Sequence, residues 1–417
     1  MASVATLPNL VEPSFWVRPA TEIEPDLALL RRSPLTYFPE PEVPEDSPLE
    51  QGPGIWAITR LDDILEISRT PTVFSSASGI TATDVPPEFN EFFSSMIAMD
   101  DPRHARLRRI ISAGFTPKML KRLEDSVQQV ARGIVEGIAD RGEVDFVVDV
   151  AAALPLKIVC DLMGIPESQF QFVFDRTNII LGAGDPEYVP EGTDVLTALL
   201  TAGGELAQLM NEVATSKKGG DGTDLTSVLM NTELHDDRLT DADLASFFIL
   251  LVVAGNETTR NAISWGLEYL TDNPDQRSIW VNDFDRVAPT AVDEIVRLAS
   301  PVTYMRRTAL SDYELRGQTI KAGEKVAMFY LAANRDEDHF ENPYQFDVLR
   351  NPNHHVGFGG PGPHFCLGAH LARREITVMF HELFDKLPDI RATGEPEPLL
   401  SSFIHAVKHL KAEFTPR

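Results

Sequence analysis

The stretch from Thr240 to Asn273 constrains this chain more than any other. Thr240-Asp-Ala-Asp243 reads as a capping box with Asp in the Glu position, and Pro274 supplies the stop, so one helix is predicted across the interval. At 1.5 Å per residue it is roughly 50 Å long, enough to cross a whole domain. Ser246 to Ala254 is apolar on nearly every face, so the helix is predicted to run through the core. In its middle stands Ala254-Gly-Asn-Glu-Thr-Thr259. A charge and two threonines are costly in a buried helix without a purpose. Thr258 can bond the carbonyl of Ala254 and bend the helix, while Gly255 removes a side chain and leaves a pocket. A glycine kink with a solvated Glu257 is the plain alternative.

A second stretch, His354 to Glu375, places Cys366 between a run of glycines and prolines and a helical pattern. Glycines at 357, 359, 360 and 362 let the backbone wrap closely round something flat, and Pro361 and Pro363 stiffen it. Leu367, Leu371, Ile376, Met379, Phe380 and Leu383 recur at helical spacing, so the thiol lies at a helix N-terminus, which favours a thiolate. Such a thiolate is a soft ligand for iron, and cysteine is a known axial ligand of haem. Two other readings are weaker. Gly357 to Gly362 matches GxGxxG, but no βαβ context surrounds it and Pro361 intrudes. A zinc site on Cys366 lacks a second thiolate.

At these residues the chain resembles the haem-thiolate monooxygenases, the cytochromes P450. Gly362, the basic position His364, Leu367 and Gly368 match the family's cysteine loop. Phe358 stands eight residues before the cysteine where the family has its aromatic at seven, so the loop is one residue longer. Further motifs follow in family order. His104 and Arg108 match a pair that contacts the haem propionates, and Ala254 to Thr259 matches the oxygen-binding groove, with Glu257 and Thr258 as its acid–alcohol pair. Glu294, Arg297 and Arg350 match a buried structural triad, and Arg307 a further propionate contact. The resemblance implies a mainly α fold with small β-sheets, a single domain over residues 1–417, and the long helix crossing over the haem. It implies haem b ligated by Cys366 and contacted by His104, Arg108, Phe115, Ala254, Gly255, Arg307, Phe358, His364, Gly368 and Ala372. The reaction implied is insertion of one oxygen atom from O2 into an unactivated C–H bond. Electrons would come from NAD(P)H through a separate ferredoxin and ferredoxin reductase, because the chain shows no flavin or nicotinamide domain.

Within the family, SMIAMDDPRH, SFFILLVVAGNETTRNAI, PTAVDEIVRLASPV, YMRRT and SSFIHAVK look most like the actinobacterial branch that hydroxylates terminal methyls of branched lipids and sterol side chains. Ile80, Phe92, Ile97, Val253, Val302 and Phe403 are the apolar candidates for the pocket. A tailoring hydroxylase of a polyketide or terpene is the alternative enzyme, and a haem-binding sensor the alternative outside catalysis. Glu257-Thr258 argues against the sensor, which has no need of a proton relay.

Composition narrows the partners. A net charge of −26 argues against nucleic acid or anionic lipid. Asp101 to Arg122 nonetheless holds seven of the chain's 37 basic residues. With Arg373 and Arg374 it forms a candidate dock for an acidic ferredoxin. The two cysteines, Cys160 and Cys366, fit a reducing compartment. The N-terminus carries no signal pattern, and the apolar run Leu244 to Ala254 is too short to span a bilayer, so the expectation is a cytoplasmic protein without a membrane anchor. Residues 1–53 read as a Pro/Glu-rich segment with a short helix near Ile23 to Arg31. Strands are expected at 54–59 and within 302–330, a loop over Ser75 to Met99, a hinge at Gly182 to Pro190, a β-like tail, and a turn at Ser402 to Ile404 reaching back to the pocket.

Overall fold

A computed structural model describes residues 7–40, 42, 50–115, 117–189, 192–219, 222–231 and 239–417. The central helix runs Asp241–Asp272 and opens on the expected box. Asp243 N donates to Thr240 Oγ1 at 3.0 Å, and Thr240 N donates to Asp243 Oδ2 at 2.9 Å. Helices Pro87–Ser94, Ala153–Met163, Val195–Lys217, Phe284–Ala299 and Ala369–Lys386 pack around it. The largest core cluster, with members from Met96 to Phe414, surrounds it too. By length and composition it is the one helix among the described residues able to cross a membrane, yet 61% of its most apolar window is buried inside the protein. Its apolar faces are spent on the core.

The breaks in helical pattern fall largely where glycines permit them. Gly142, at φ +76°, precedes strand Glu143–Asp145. Helix Phe170–Leu181 ends at Gly182, where an added Cβ would strike the ring of Tyr188 at 2.2 Å, so glycine lets the chain fold back on itself. Pro190, at the end of that expected hinge, lies outside the described residues, as do residues 1–6, 41 and 43–49 of the Pro/Glu-rich segment. Helix Ala20–Arg32 and strand Ile55–Ile58 form as expected.

Ser75 to Met99 is a correction. The expected loop contains helix Pro87–Ser94 and a 3-10 turn, Ser95–Ala98. Pro87 occupies a first-turn position that needs no N–H. Phe89 and Phe93 meet one turn apart, with ring centroids 4.6 Å apart. The helix lies against Gly203, where a Cβ would come within 2.7 Å of both Phe92 and Phe93. A two-turn helix carries too little periodicity to announce itself; packing makes it.

A five-stranded sheet has the order Thr36–Phe38, Ile55–Ile58, Lys325–Phe329, Tyr304–Ala309, Phe74–Ser75, with only the second and third of these parallel. The tail supplies strand Val407–His409, paired with Glu397–Pro398, and strand Lys411–Glu413, paired with Glu143–Asp145.

Candidate active site

The cysteine loop is pressed against the end of helix Leu61–Ser68. A Cβ at Gly360 would lie 2.3 Å from Ser68 Oγ, and one at Gly362, whose φ is +154°, would lie 2.4 Å from the Ser68 carbonyl oxygen. Only glycine tolerates both the dihedral and the approach. Cys366 N–H donates to Phe358 O at 3.0 Å, so the longer loop still closes with Phe358 bonded to the cysteine. The Arg373 guanidinium lies 4.3 Å from the centroid of the Phe358 ring and donates to Asp293 at 2.7 Å. Cys366 is half-buried, with its sulfur largely desolvated. Burial pushes its thiol up, while the Gly368 and Ala369 N–H groups and the Arg108 and Arg373 charges favour the thiolate. Bonding to a metal would deprotonate it outright.

Beside this loop, cations and donors gather. The rings of His104 and His364 lie 4.2 Å apart. His364 Nε2 meets Ser76 Oγ at 3.2 Å, and His104 Nδ1 meets Asp101 at 3.3 Å. Burial, then the charges of Arg307, His104 and Arg108, drives His364 down to about 3. Burial also lowers His104 and Arg307. Arg307 is buried, donates to the Arg306 carbonyl at 2.7 Å, and has no carboxylate partner among the described residues. His104 Nε2 and His364 Nδ1 are likewise buried without a partner among the described residues. Arg108 donates to Phe365 O at 2.7 Å, tying helix Arg103–Gly114 to the residue before the cysteine. Such a set of desolvated donors is suited to carboxylates.

The central helix presents the apolar side of the site. Ala254 is exposed, and Leu251, Val253, Gly255 and Thr258 are half-buried, in a stretch from Leu244 to Ser264 where every other residue is buried. Thr258 Oγ1 donates to Ala254 O at 2.7 Å, the expected back-bond. Gly255 serves a purpose other than the expected one. Its absent Cβ points at Val159, 3.1 Å away, so its smallness lets the central helix approach helix Ala153–Met163. A sulfur donor, an apolar strip and unpartnered donors for two carboxylates together fit haem b. Phe115 caps helix Arg103–Gly114 and packs on the main core, and Ala372 N bonds Gly368 O at 2.9 Å in the first turn after the loop.

Glu257 is buried, which removes the solvated alternative. It pairs closely with Arg260, and Asn261 Nδ2 donates to its Oε1 at 3.1 Å and to its backbone carbonyl at 2.8 Å. Arg260 also donates to Asn178 of helix Phe170–Leu181 at 3.0 Å. The other Glu257 oxygen, Oε2, is buried with no partner among the described residues. Spacing alone left Asn178 and Asn261 unremarked. Asn261 was within reach of an i,i+4 argument, whereas Asn178 is distant in sequence.

Glu294, Arg297 and Arg350 come together in the interior. Arg297 forms two parallel bonds to Glu294, at 2.7 and 2.8 Å, and Arg350 Nε bridges both its oxygens at 3.1 Å. Five of the six pocket candidates fall into two groups. Phe92, Ile97 and Val253 pack on the main core, while Val302 and Phe403 join Leu181 and Tyr188 around Ile404. Val302 bridges Ile404, and Phe403 O accepts from Thr303 N at 2.9 Å, so the tail does reach back. Ile80 is buried, and its carbonyl accepts from Arg306 N at 2.8 Å.

Comparison with known proteins agrees with this geometry. A cytochrome P450 family model matches residues 202–388. The chain is 48% identical over 401 residues to a methyl-branched lipid omega-hydroxylase of Mycobacterium tuberculosis, covering 95% of this chain and 92% of that one. It is 41% identical over 374 residues to a steroid C26-monooxygenase of the same species, covering 87% and 83%. A solved Mycobacterium marinum cytochrome P450 in complex with pseudoionone superposes with a TM-score of 0.90 at 44% identity, covering 99% of this chain and 100% of that one. Fold and relatives define a haem-dependent monooxygenase. The chain belongs to the cytochrome P450 family, and it uses haem held by a cysteine thiolate, O2 and electrons from a reductant.

Proposed function

We propose that this protein, acting as one domain, hydroxylates the terminal methyl of a methyl-branched lipid or a sterol side chain. The likeness to the omega-hydroxylase over nearly the whole of both chains carries this reading. The relative at 41% identity, named for a steroid position, supports it. When bound, haem supplies the oxidising power: one atom of O2 enters the C–H bond and the other leaves as water, with two electrons and two protons consumed.

The chain's own residues do the rest. Cys366 holds the iron as thiolate. His104, Arg108, Arg307 and His364 hold the propionates, with Phe115, Ala254, Gly255, Phe358, Gly368 and Ala372 around the ring. Arg307 and the two histidines arrive already desolvated, so they need no reorganisation to receive negative charge. Glu257 and Thr258 deliver protons to the oxygen side, the carboxyl as acid and the hydroxyl as its relay. Glu294, Arg297 and Arg350 brace the fold. Ile80, Phe92, Ile97, Val253, Val302 and Phe403 grip an apolar chain by burial, and regiochemistry follows from which carbon reaches the iron. Electrons come from a ferredoxin and its reductase.

Replacement of Cys366 by Ala is expected to abolish the red-shifted Soret band of the ferrous–CO complex. Retention of that band would mean another ligand. Titration of the wild type with methyl-branched fatty acids and with cholest-4-en-3-one, followed as a Soret shift, should show saturable binding. No shift with either class would overturn the substrate assignment.

A further inference from the structure

Glu257 is held asymmetrically. Oε1 receives both Arg260 and Asn261, whereas Oε2 is buried without a partner among the described residues. Asn261 is itself fully enclosed. Its amide oxygen accepts from Val407 N at 2.9 Å, so the orientation of that amide is dictated by the tail. With Oδ1 facing an N–H, Nδ2 must face Glu257; the reverse would set two acceptors against each other.

The tail strand that aims Asn261 is itself anchored. Next to Val407, Lys408 binds Asp185 at 3.2 Å and Glu187 at 2.8 Å. His409 contacts Glu187 at 2.9 Å and pairs closely with Asp145. Asp185 and Glu187 belong to the segment after helix Phe170–Leu181, which carries Asn178, the partner of Arg260. The contacts form a closed circuit that starts and ends at Glu257, and Asn261 is the link nearest the carboxylate on the tail side.

We propose that Asn261 is a positioning residue for the relay acid: it anchors Oε1 of Glu257 against the C-terminal strand and leaves Oε2 as the oxygen that takes and gives the proton. This rests on the reading of Glu257 as the proton donor. An anchored oxygen bonded by a guanidinium and an amide N–H is a poor protonation site, because protonation would set an O–H against donors. The free oxygen carries no such penalty.

The test compares Asn261→Leu, Glu257→Gln and the double variant as holoenzymes, using a methyl-branched long-chain fatty acid and a surrogate ferredoxin and reductase. Asn261→Leu should lower kcat about tenfold, change KM by less than about twofold, raise the solvent isotope effect on product formation and divert NADH electrons to hydrogen peroxide. Glu257→Gln should do at least as much, and the double variant no more than Glu257→Gln alone. In the resting protein, the infrared carboxyl band of Glu257, isolated by difference against Glu257→Gln, should shift in Asn261→Leu.

Wild-type coupling and an unshifted band in Asn261→Leu, with Glu257→Gln impaired, would overturn the role of Asn261 and leave the relay standing. Additive losses in the double variant would place Asn261 on another task and equally overturn it. An unimpaired Glu257→Gln would remove the relay reading, and this inference with it. If Asn261→Leu fails to give the ferrous–CO thiolate spectrum, Asn261→Ser, smaller and polar, decides by the same comparisons.

Discussion

Single side chains set the chemistry, and the acids differ in how they are placed. Thr258 spends its hydroxyl proton on the Ala254 carbonyl, 2.7 Å away, which leaves the oxygen lone pairs open toward the site. Thr258→Ala is expected to keep the haem spectrum and raise the share of NADH electrons lost as peroxide several-fold; unchanged coupling would refute its role in the relay. Glu375 is a different case. Buried on helix Ala369–Lys386, its carboxyl is pushed by burial alone from 4.5 to about 8. Between those values the unfolded chain releases a proton that the folded chain keeps. Stability is therefore fully present below the lower value, falls as pH rises through the window, and levels off above about 8. Glu375→Gln should flatten the dependence of Tm on pH across that window and stabilise the protein by ~2 kcal/mol at its upper end, as read by thermal melts.

Whole elements decide whether those side chains meet. The loop from Val356 to Gly368 works because its glycines allow contact with Ser68, and the geometry at Gly362 leaves no room for a methyl group. Gly362→Ala would force a Cβ to 2.4 Å from a backbone oxygen at φ +154°. The strain, of order 1–3 kcal/mol, should appear as a several-fold lower haem-to-protein ratio after expression. Full haem retention would show that the loop shifts freely. The loop and the capping box were legible because each is a local signal, carried by consecutive residues whose dihedrals or hydrogen bonds depend on their own types. Helix Pro87–Ser94 was not legible, since a two-turn element is stabilised by what it packs against, here Gly203 and the central helix.

Across the molecule, charge is distributed against its average. The chain is strongly acidic, yet helix Arg103–Gly114 is basic and joins the cysteine loop through Arg108. Much of the basic charge between Asp101 and Arg122 is occupied: Arg103 pairs with Glu91, Lys121 with Asp125, and Arg122 bonds Thr223. The side chain of Lys118 lies outside the described residues. Arg109 is exposed and makes no ion pair among the described residues, so it is the clearest probe of the proposed ferredoxin dock. Arg109→Glu should slow ferredoxin-dependent reduction about tenfold at low salt, with the difference shrinking as salt rises in stopped-flow traces. An unchanged rate would move the dock elsewhere.

Residue order alone makes legible the parts whose physics is local: the long buried helix and the glycine-lined cysteine loop. Tertiary structure alone decided the rest. The close, tilted approach of His104 to His364, the unpaired burial of Arg307, and the circuit from Glu257 through Asn178 and Val407 join residues tens to hundreds of positions apart. Burial and direction belong to the folded chain, and no spacing rule encodes them. Gly255 shows the limit most plainly, because the sequence revealed a missing side chain and only packing showed that Val159 lay on that side.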